Sequence, residues 1–300
     1  MSDITNPIFT DETKAREYLE SLRWADGRFC PHCGESERTS PVESKHHREG
    51  FYYCLSCKKS FSVTVGTVME RSHIPLNKWV AAFILLTASK KGISAHQLHR
   101  MLKITYKSAW FMAHRIREAM TDPKAGPLGG KNKVVEANET YVGGKAKNRK
   151  NKVPSKEIVF SLVQREGKVR SRHVADVTGK TLRDAIVTQA KRSSYLMTDE
   201  AKVYSAIGDE FAWHGTVNHS AYFWHTNTVE GYFSILKRGI TGVYHQVSPA
   251  HLHRYLAEFD FRYNEREKLG VDDAARAAKA IKGIEGKRLT NRRTSEAANA

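Results

Sequence analysis

Four cysteines occur as two close couplets, Cys30-Pro31-His32-Cys33 and Cys54-Leu55-Ser56-Cys57, with the spacing C-x2-C-x20-C-x2-C. Each couplet places two thiolates on one turn, and two such turns complete a tetrahedron around zinc. The segments 51–53 and 61–65 are rich in β-forming residues, so the couplets are predicted to lie on hairpin turns of a zinc ribbon within residues 1–70. Because four cysteines fill the coordination shell, we expect a structural Zn²⁺. The alternative is four free thiols in a small core.

Residues 74–120 contain few glycines and prolines and read as helices. Ser94 and Thr105 suit the N-caps of two short helices separated by a tight turn. This layout predicts a helix-turn-helix-like DNA-binding domain over residues 71–125, whose second helix presents Tyr106, Lys107 and Arg115 to DNA. Three packed helices that do not contact DNA are the alternative.

Strand-like and helix-like segments alternate after the Gly- and Pro-rich linker near residue 126. The predicted strands cover 134–142, 158–164, 169–177 and 194–197, and the predicted helices cover 179–190 and 228–237. Three antiparallel strands, a helix, a strand and further helices are the order of an RNase H-like fold. The sequence therefore predicts an α+β multidomain protein with an RNase H-like α/β domain over 126–266 and a basic C-terminal tail over 267–300.

Three strings of residues in this domain resemble a known family. They are Glu-Ala-Asn-Glu-Thr-Tyr-Val-Gly-Gly-Lys (136–145), Thr-Asp-Glu-Ala (198–201) and His-Thr-Asn-Thr-Val-Glu-Gly-Tyr-Phe-Ser-Ile-Leu-Lys-Arg (225–238). Together with the cysteine couplets, they resemble DDE transposases of bacterial insertion sequences that have an N-terminal zinc ribbon and an ISXO-like, Merlin-related catalytic domain. The resemblance covers roughly residues 15–266 in the expected order.

The resemblance implies a catalytic site with two Mg²⁺ or Mn²⁺ ions held at positions 138, 199 and 230. Asp199 and Glu230 match the family pattern, whereas Asn138 stands where the family has Asp. An amide oxygen brings no negative charge to offset two cations. Glu139 points to the opposite face of its strand, and Glu136 shares the face of Asn138 but lies two residues earlier. We therefore expect impaired cleavage in this chain with the fold and DNA binding intact.

Local structure offers a second interpretation of the two matching carboxylates. Asp199 suits an N-cap for a helix beginning near Ala201. Asn227 and Glu230 fit a capping box, with Glu230 at the third helical position. On the same helix, Asn227, Glu230 and Lys237 are predicted to share one polar face.

The chain has 300 residues, with 49 Lys and Arg against 32 Asp and Glu, which gives a net charge of +17. Such an excess indicates a polyanionic partner. Basic residues near the proposed catalytic site are predicted to contact DNA phosphates. They are Lys145, Lys147, Arg149 and Lys150 in one predicted loop, and Lys237 and Arg238 on the helix of Glu230.

The sequence thus predicts a DNA transposase that binds the terminal inverted repeats of an insertion sequence as double-stranded DNA, cleaves the strands and joins them to target DNA. We expect a homodimer or larger homo-oligomer, because two element ends must be joined together. The chain lacks a signal-peptide layout and a long apolar run, which predicts a cytoplasmic, nucleoid-associated bacterial protein. The alternatives are a transposase-derived DNA-binding protein without activity and an RNA-binding zinc-ribbon protein, although the latter gives no role to Asp199 and Glu230.

Overall fold

The computed structural model describes residues 3, 5–42, 49–143, 156–217 and 227–290. These residues form two compact units. The ribbon unit combines the chain up to residue 89 with residues 93–121 and the segment from 271 onward. The sheet unit contains residues 90–92 and 122–270.

The ribbon unit begins with one helix and a three-stranded antiparallel sheet, namely α1 (Glu12–Arg23), β1 (Thr39–Pro41), β2 (Phe51–Cys54) and β3 (Lys59–Ser62). Tyr52 pairs with Phe61 across β2 and β3. The Trp24 ring meets both rings edge-on, with centroids 5.4 and 6.1 Å away. This small cluster of aromatic rings is the core of the ribbon.

The next helices of the ribbon unit are α2 (Leu76–Ala88), α3 (Ala95–Leu102) and α4 (Tyr106–Ala119). Ser94 Oγ accepts the Gln97 N–H at 3.2 Å, and Thr105 Oγ1 accepts the Ser108 N–H at 3.2 Å, so each serves as the expected N-cap. Lys103 ends α3 in the left-handed conformation, with φ 50°. The turn between the two helices is therefore tight, as a helix-turn-helix layout requires.

The described part of the segment expected to be a basic tail is folded. A short 3₁₀ turn (Glu267–Leu269) precedes helix α9 (Asp273–Lys282), which buries Ala277, Ala280 and Ile281 in the ribbon unit. Lys287 Nζ donates to the carbonyls of Ala119 and Thr121 at 3.1 and 2.5 Å, at the end of α4. The tail interpretation does not hold for residues 267–290, because the alanine-rich stretch has an apolar face that packs.

The sheet unit contains a five-stranded sheet built from β4 (Val134–Val142), β5 (Glu157–Gln164), β6 (Val169–Val174), β7 (Tyr195–Asp199) and β8 (Trp213–Val217). The spatial order is β6-β5-β4-β7-β8. Strands β4, β5 and β6 pair antiparallel, and β7 and β8 continue the sheet in parallel with β4. Strand β8 was not expected from the sequence.

Helices cover both faces of this sheet, namely α5 (Gly179–Gln189), the short α6 (Ser205–Gly208), α7 (Asn227–Gly239) and α8 (Pro249–Asn264). One face packs on α5, where Leu182 and Ile186 join Val135 and Ala137. The other face packs on α7 and α8 through a second apolar cluster that includes Val142, Val159, Val229, Leu236 and Leu252. The mixed α/β fold class is thereby confirmed. Among the described residues, no helix is long and apolar enough to cross a bilayer.

The packing of α9 predicts its effect on stability. Ile281 is 1% exposed, so Ile281→Ala is expected to lower the free energy of unfolding of the ribbon unit by about 2–5 kcal/mol, through reduced burial and the cavity that remains. Lys282→Ala, at the exposed neighbouring position, should change it by less than about 0.5 kcal/mol. Urea unfolding of both variants measures the difference, and equal effects would contradict the packed helix.

Candidate functional site

The four cysteine sulfurs of the ribbon lie within 4.8 Å of one another. The Sγ atoms of Cys30 and Cys57 are 3.6 Å apart, and those of Cys33 and Cys54 are 3.7 Å apart. In a tetrahedral zinc site with Zn–S bonds of about 2.3 Å, neighbouring sulfurs are separated by about 3.8 Å. The arrangement therefore fits a Zn²⁺ ion and supports the predicted structural metal.

The backbone of both couplets has the same conformation. Gly34 follows the first couplet with φ +82°, and its N–H donates to the Cys30 carbonyl at 2.8 Å. Lys58 follows the second with φ 56°, and its N–H donates to the Cys54 carbonyl at 2.9 Å. The Glu35 carboxylate links the two turns by accepting the Ser56 hydroxyl at 2.8 Å. The turns thus hold the sulfurs in place through hydrogen bonds of the chain itself.

The protonation of the thiols differs between neighbouring cysteines. The backbone N–H of Cys57 lowers the pKa of Cys54 to about 7. Burial raises the pKa of Cys57 to about 12, and the nearby sulfurs of Cys33 and Cys30 add to that increase. Because zinc binds thiolates, a divalent cation held by these four residues would supply the charge that keeps all four groups deprotonated.

The acidic positions of the sheet unit are aligned by the pairing of β4 with β7. These strands pair in parallel, with Val135 opposite Leu196 and Glu136 opposite Met197. Neighbouring side chains in such a pair point to the same face, so continuing the register by two residues on each strand brings Asn138 beside Asp199. Val135 and Leu196 pack in the cluster with α5. Asn138 and Asp199 therefore belong to the opposite face, which α7 and α8 cover.

Glu230 lies in the first turn of α7 and is exposed to solvent. The residues predicted to share its polar face, Asn227 and Lys237, are exposed as well, whereas Val229 and Leu236 are buried. The helix thus packs on the same face of the sheet that carries Asn138 and Asp199 and presents Glu230 from its polar side. The other strand carboxylate, Glu139, lies on the opposite face as expected, where its Oε2 accepts the Tyr204 hydroxyl at 2.5 Å.

The local interpretations of Asp199 and Glu230 have different outcomes. Asp199 Oδ1 accepts the N–H of Ala201 at 3.1 Å. The N-cap interpretation of Asp199 is nevertheless wrong, because Ala201 itself is the N-cap of the short 3₁₀ helix Lys202–Tyr204, which has no side-chain cap. The N-terminus of α7 is capped from another strand, because Glu136 Oε2 accepts the N–H groups of Thr228 and Val229 at 3.0 Å each. This long-range cap was not expected from the sequence.

The donor set at positions 138, 199 and 230 meets the requirements of divalent cations in part. Asp199 and Glu230 offer carboxylate oxygens, the ligands that Mg²⁺ prefers. Asn138 is half-buried, and its Oδ1 accepts the N–H of Glu139 at 2.7 Å. By its chemistry the set therefore offers two carboxylates suited to a divalent cation, but it lacks the third negative charge that a pair of cations needs. Glu136 does not replace it, because both of its oxygens already accept hydrogen bonds.

A half-buried carboxylate, Asp260, forms hydrogen bonds at the middle of α7. Asp260 of α8 accepts the Tyr232 hydroxyl at 2.6 Å and the Ser171 hydroxyl and N–H at 2.7 Å each. Burial raises the pKa of Asp260, and the hydrogen bonds from Tyr232 and Ser171 oppose that increase. Ser161, which pairs with Asn138 across β4 and β5, donates to Ser171 at 2.9 Å. A polar row therefore runs through this face beside position 138.

The basic residues predicted to bind DNA differ in their surroundings. Lys107 is exposed at the start of α4. Arg115 is half-buried on the same helix, donates to the Glu70 carbonyl at 3.1 Å and lies 4.6 Å from the Phe111 ring centroid. Its contacts are those of a packing residue, and burial lowers its pKa.

On α7, Lys237 and Arg238 are exposed, and the Arg238 guanidinium donates to the Ser234 hydroxyl at 2.7 Å. The loop residues Lys145, Lys147, Arg149 and Lys150 lie outside the described residues.

Comparison with known proteins agrees with both parts of the chain. Residues 10–60 match the transposase zinc-ribbon domain, and residues 127–264 match the ISXO2-like transposase domain. A relative from Halobacterium salinarum, described as an uncharacterized protein in transposable element ISH50, is 26% identical over 291 residues that span 88% of this chain and 95% of the relative. The chain carries both domains of these insertion-sequence transposases, which confirms the family identified from the sequence.

The cysteine geometry predicts one zinc ion per chain. Purified protein is expected to contain about one equivalent of zinc, and Cys54→Ser should lose it and unfold the ribbon, because structural zinc contributes directly to folding. Leu55→Ser introduces the same residue at an exposed position of the same couplet and should retain the metal. Elemental analysis with near-UV circular dichroism measures both effects. Folded protein without zinc would contradict this assignment.

Proposed function

We propose that this chain is a DNA transposase of the DDE type that binds the ends of an insertion sequence, and that Asn138 impairs its strand cleavage and strand transfer. The observation that carries the proposal is the register of β4 and β7. Continued by two residues beyond the paired Glu136 and Met197, this register would set positions 138 and 199 side by side, on the face against which the helix of Glu230 packs. The match of residues 127–264 to a transposase domain supports it.

Asp199 and Glu230 would hold the divalent cation, Mg²⁺ or Mn²⁺. When bound, such cations activate the attacking oxygen and stabilise the leaving oxygen at phosphorus. The protein itself positions the two carboxylates and, through exposed cations such as Lys237, binds the backbone of the DNA. Lys237 follows Glu230 by two helical turns on the same exposed face.

Double-stranded DNA, both element ends and target, is the proposed partner. The net charge of +17 favours a polyanion, and the ribbon and the tight turn between α3 and α4 supply elements typical of DNA binding. Lys107 is the exposed cation at the start of α4. Because two ends are joined in one reaction, the active species is proposed to be a homodimer or larger.

A transposase-derived DNA-binding protein without activity is the second candidate. The observation that favours it is Asn138, whose amide adds no charge to the site and whose Oδ1 already accepts the Glu139 N–H. This candidate shares the fold and the DNA surface with the first. The two differ in whether restoring one carboxylate produces cleavage.

Asn138→Asp is expected to increase Mg²⁺-dependent cleavage of element-end DNA by about 10²- to 10³-fold. The restored carboxylate recovers several kcal/mol of transition-state stabilisation by the metals. The initial rate of end cleavage at fixed Mg²⁺ measures this change. Asp199→Ala and Glu230→Gln in the restored chain should abolish the activity again.

Affinity for the ends serves as the control in this experiment, and it should be the same for both chains. Full activity of the chain with Asn138 would show that position 138 is not a metal position. Binding of ends by both chains with cleavage by neither would favour the DNA-binding protein.

The basic loop predicts the salt dependence of binding. Neutralising Lys147, Arg149 and Lys150 together should reduce the slope of log Kd against log salt by about 1 for each DNA phosphate that the loop no longer neutralises, because fewer counterions are released. Neutralising the exposed Lys180, Lys191 and Lys268 removes the same charge elsewhere and should leave the slope nearly unchanged. Titrations at several salt concentrations measure both slopes, and equal slopes would exclude phosphate binding by the loop.

A further inference from the structure

Glu136 is a carboxylate without any exposed surface, two residues before Asn138 on β4. Its Oε1 accepts the Arg165 Nε at 2.6 Å. Its Oε2 accepts the N–H groups of Thr228 and Val229, the second and third residues of α7. The side chain thus connects β4, and the turn that follows β5 at Arg165, to the first turn of the helix that carries Glu230.

The first N–H groups of any helix have no partner within that helix. A carboxylate placed there satisfies them and interacts favourably with the positive end of the helix dipole. In α7 the acceptor of these N–H groups is Glu136 of β4, so the start of the helix is bonded to the strand that also carries Asn138. Glu230 directly follows Val229, and a shift of this turn therefore moves Glu230.

We propose that Glu136 is a positioning residue, which fixes the first turn of α7 and thereby sets the place of Glu230 relative to Asn138 and Asp199. The role of Glu230 in this statement rests on the proposed function. Asp260 and Tyr232 hold the middle of the helix, whereas Glu136 holds the end at which the chemistry is proposed.

The number of N–H groups that donate to Glu136 requires a carboxylate at this position. Two oxygens accept three N–H groups, and an amide has only one acceptor oxygen beside an NH₂ donor. A glutamine at position 136 would place its NH₂ group, which is a donor, against the N–H groups of either Arg165 or the first turn of α7. Among the described residues, Glu139 on the same strand accepts a hydrogen bond from one group, the Tyr204 hydroxyl, which a glutamine oxygen accepts equally well.

This contrast gives a matched pair of variants. In the Asn138→Asp chain, Glu136→Gln is expected to accelerate amide hydrogen exchange in peptides from residues 227–239 by about 5- to 30-fold, the effect of losing a helix cap. It should lower kcat for end cleavage by about 10- to 100-fold and shift its Mn²⁺ dependence to higher concentrations, with the Kd for end DNA unchanged. Glu139→Gln should leave all of these values close to those of the parent.

The proposal is overturned if Glu136→Gln leaves amide hydrogen exchange in residues 227–239 unchanged. It is also overturned if exchange there becomes faster while the variant still cleaves end DNA at the full rate. Faster exchange throughout β5 as well would show a merely structural role and would also overturn it. If Glu136→Gln does not yield folded protein, Glu136→Asp keeps the charge with one methylene fewer, and a smaller acceleration confined to α7 is expected. If the parent cleaves no DNA, the proposed function fails, whereas exchange still decides whether Glu136 fixes the helix.

Discussion

The parallel pairing of β4 with β7 is the constraint on which the candidate site depends. Asn138 and Asp199 are far apart in the chain, and the register that sets Glu136 opposite Met197 puts both on one face of the sheet. Side chains alternate along a strand, so a slip by one residue on either strand would send one of the two to the face covered by α5. The apolar cluster of Val135, Ala137 and Leu196 on that face resists such a slip.

Helix α7 is positioned by hydrogen bonds to two carboxylates, the buried Glu136 and the half-buried Asp260, as well as by apolar packing. Glu136 and Asp260 lie on the face where Val142 and Val159 pack on the helix, and each accepts three hydrogen bonds. A buried carboxylate is costly unless such bonds replace its water. Apolar side chains could bury the same surface of α7, but apolar contacts are not directional and would not fix the position of its first turn. The directional bonds are therefore well suited to hold a first turn on which a functional carboxylate depends.

The ribbon achieves stability in a different manner. Its core is small, with the rings of Trp24, Tyr52 and Phe61 in contact and Leu19 and Val63 also buried. A domain of this size buries too little apolar surface to be stable alone, and a structural metal is a common remedy. In this chain α9 adds further burial, because it returns to the ribbon unit after the whole sheet unit.

Features that depend on local spacing were determined by the sequence alone. The cysteine couplets predicted the metal cluster, the caps Ser94 and Thr105 predicted two helix starts, and strand-like runs of residues predicted β4 and β5. The polar face of α7 followed from its 3.6-residue period in the same way. A resemblance in three short strings identified the transposase domain.

Features that depend on contacts between distant segments were decided by the tertiary structure. Strand β8 has few apolar residues and exists because β7 offers it a parallel edge. Helix α9 looked like a loose basic segment, since only its docking shows that the alanines are a buried face. In the sequence Glu136 looked like one more acid near Asn138, and only folding brings it to Arg165, Thr228 and Val229. Hydrogen bonds between residues far apart in the chain leave no periodic pattern in the sequence, and for this reason the fold alone could reveal that cap.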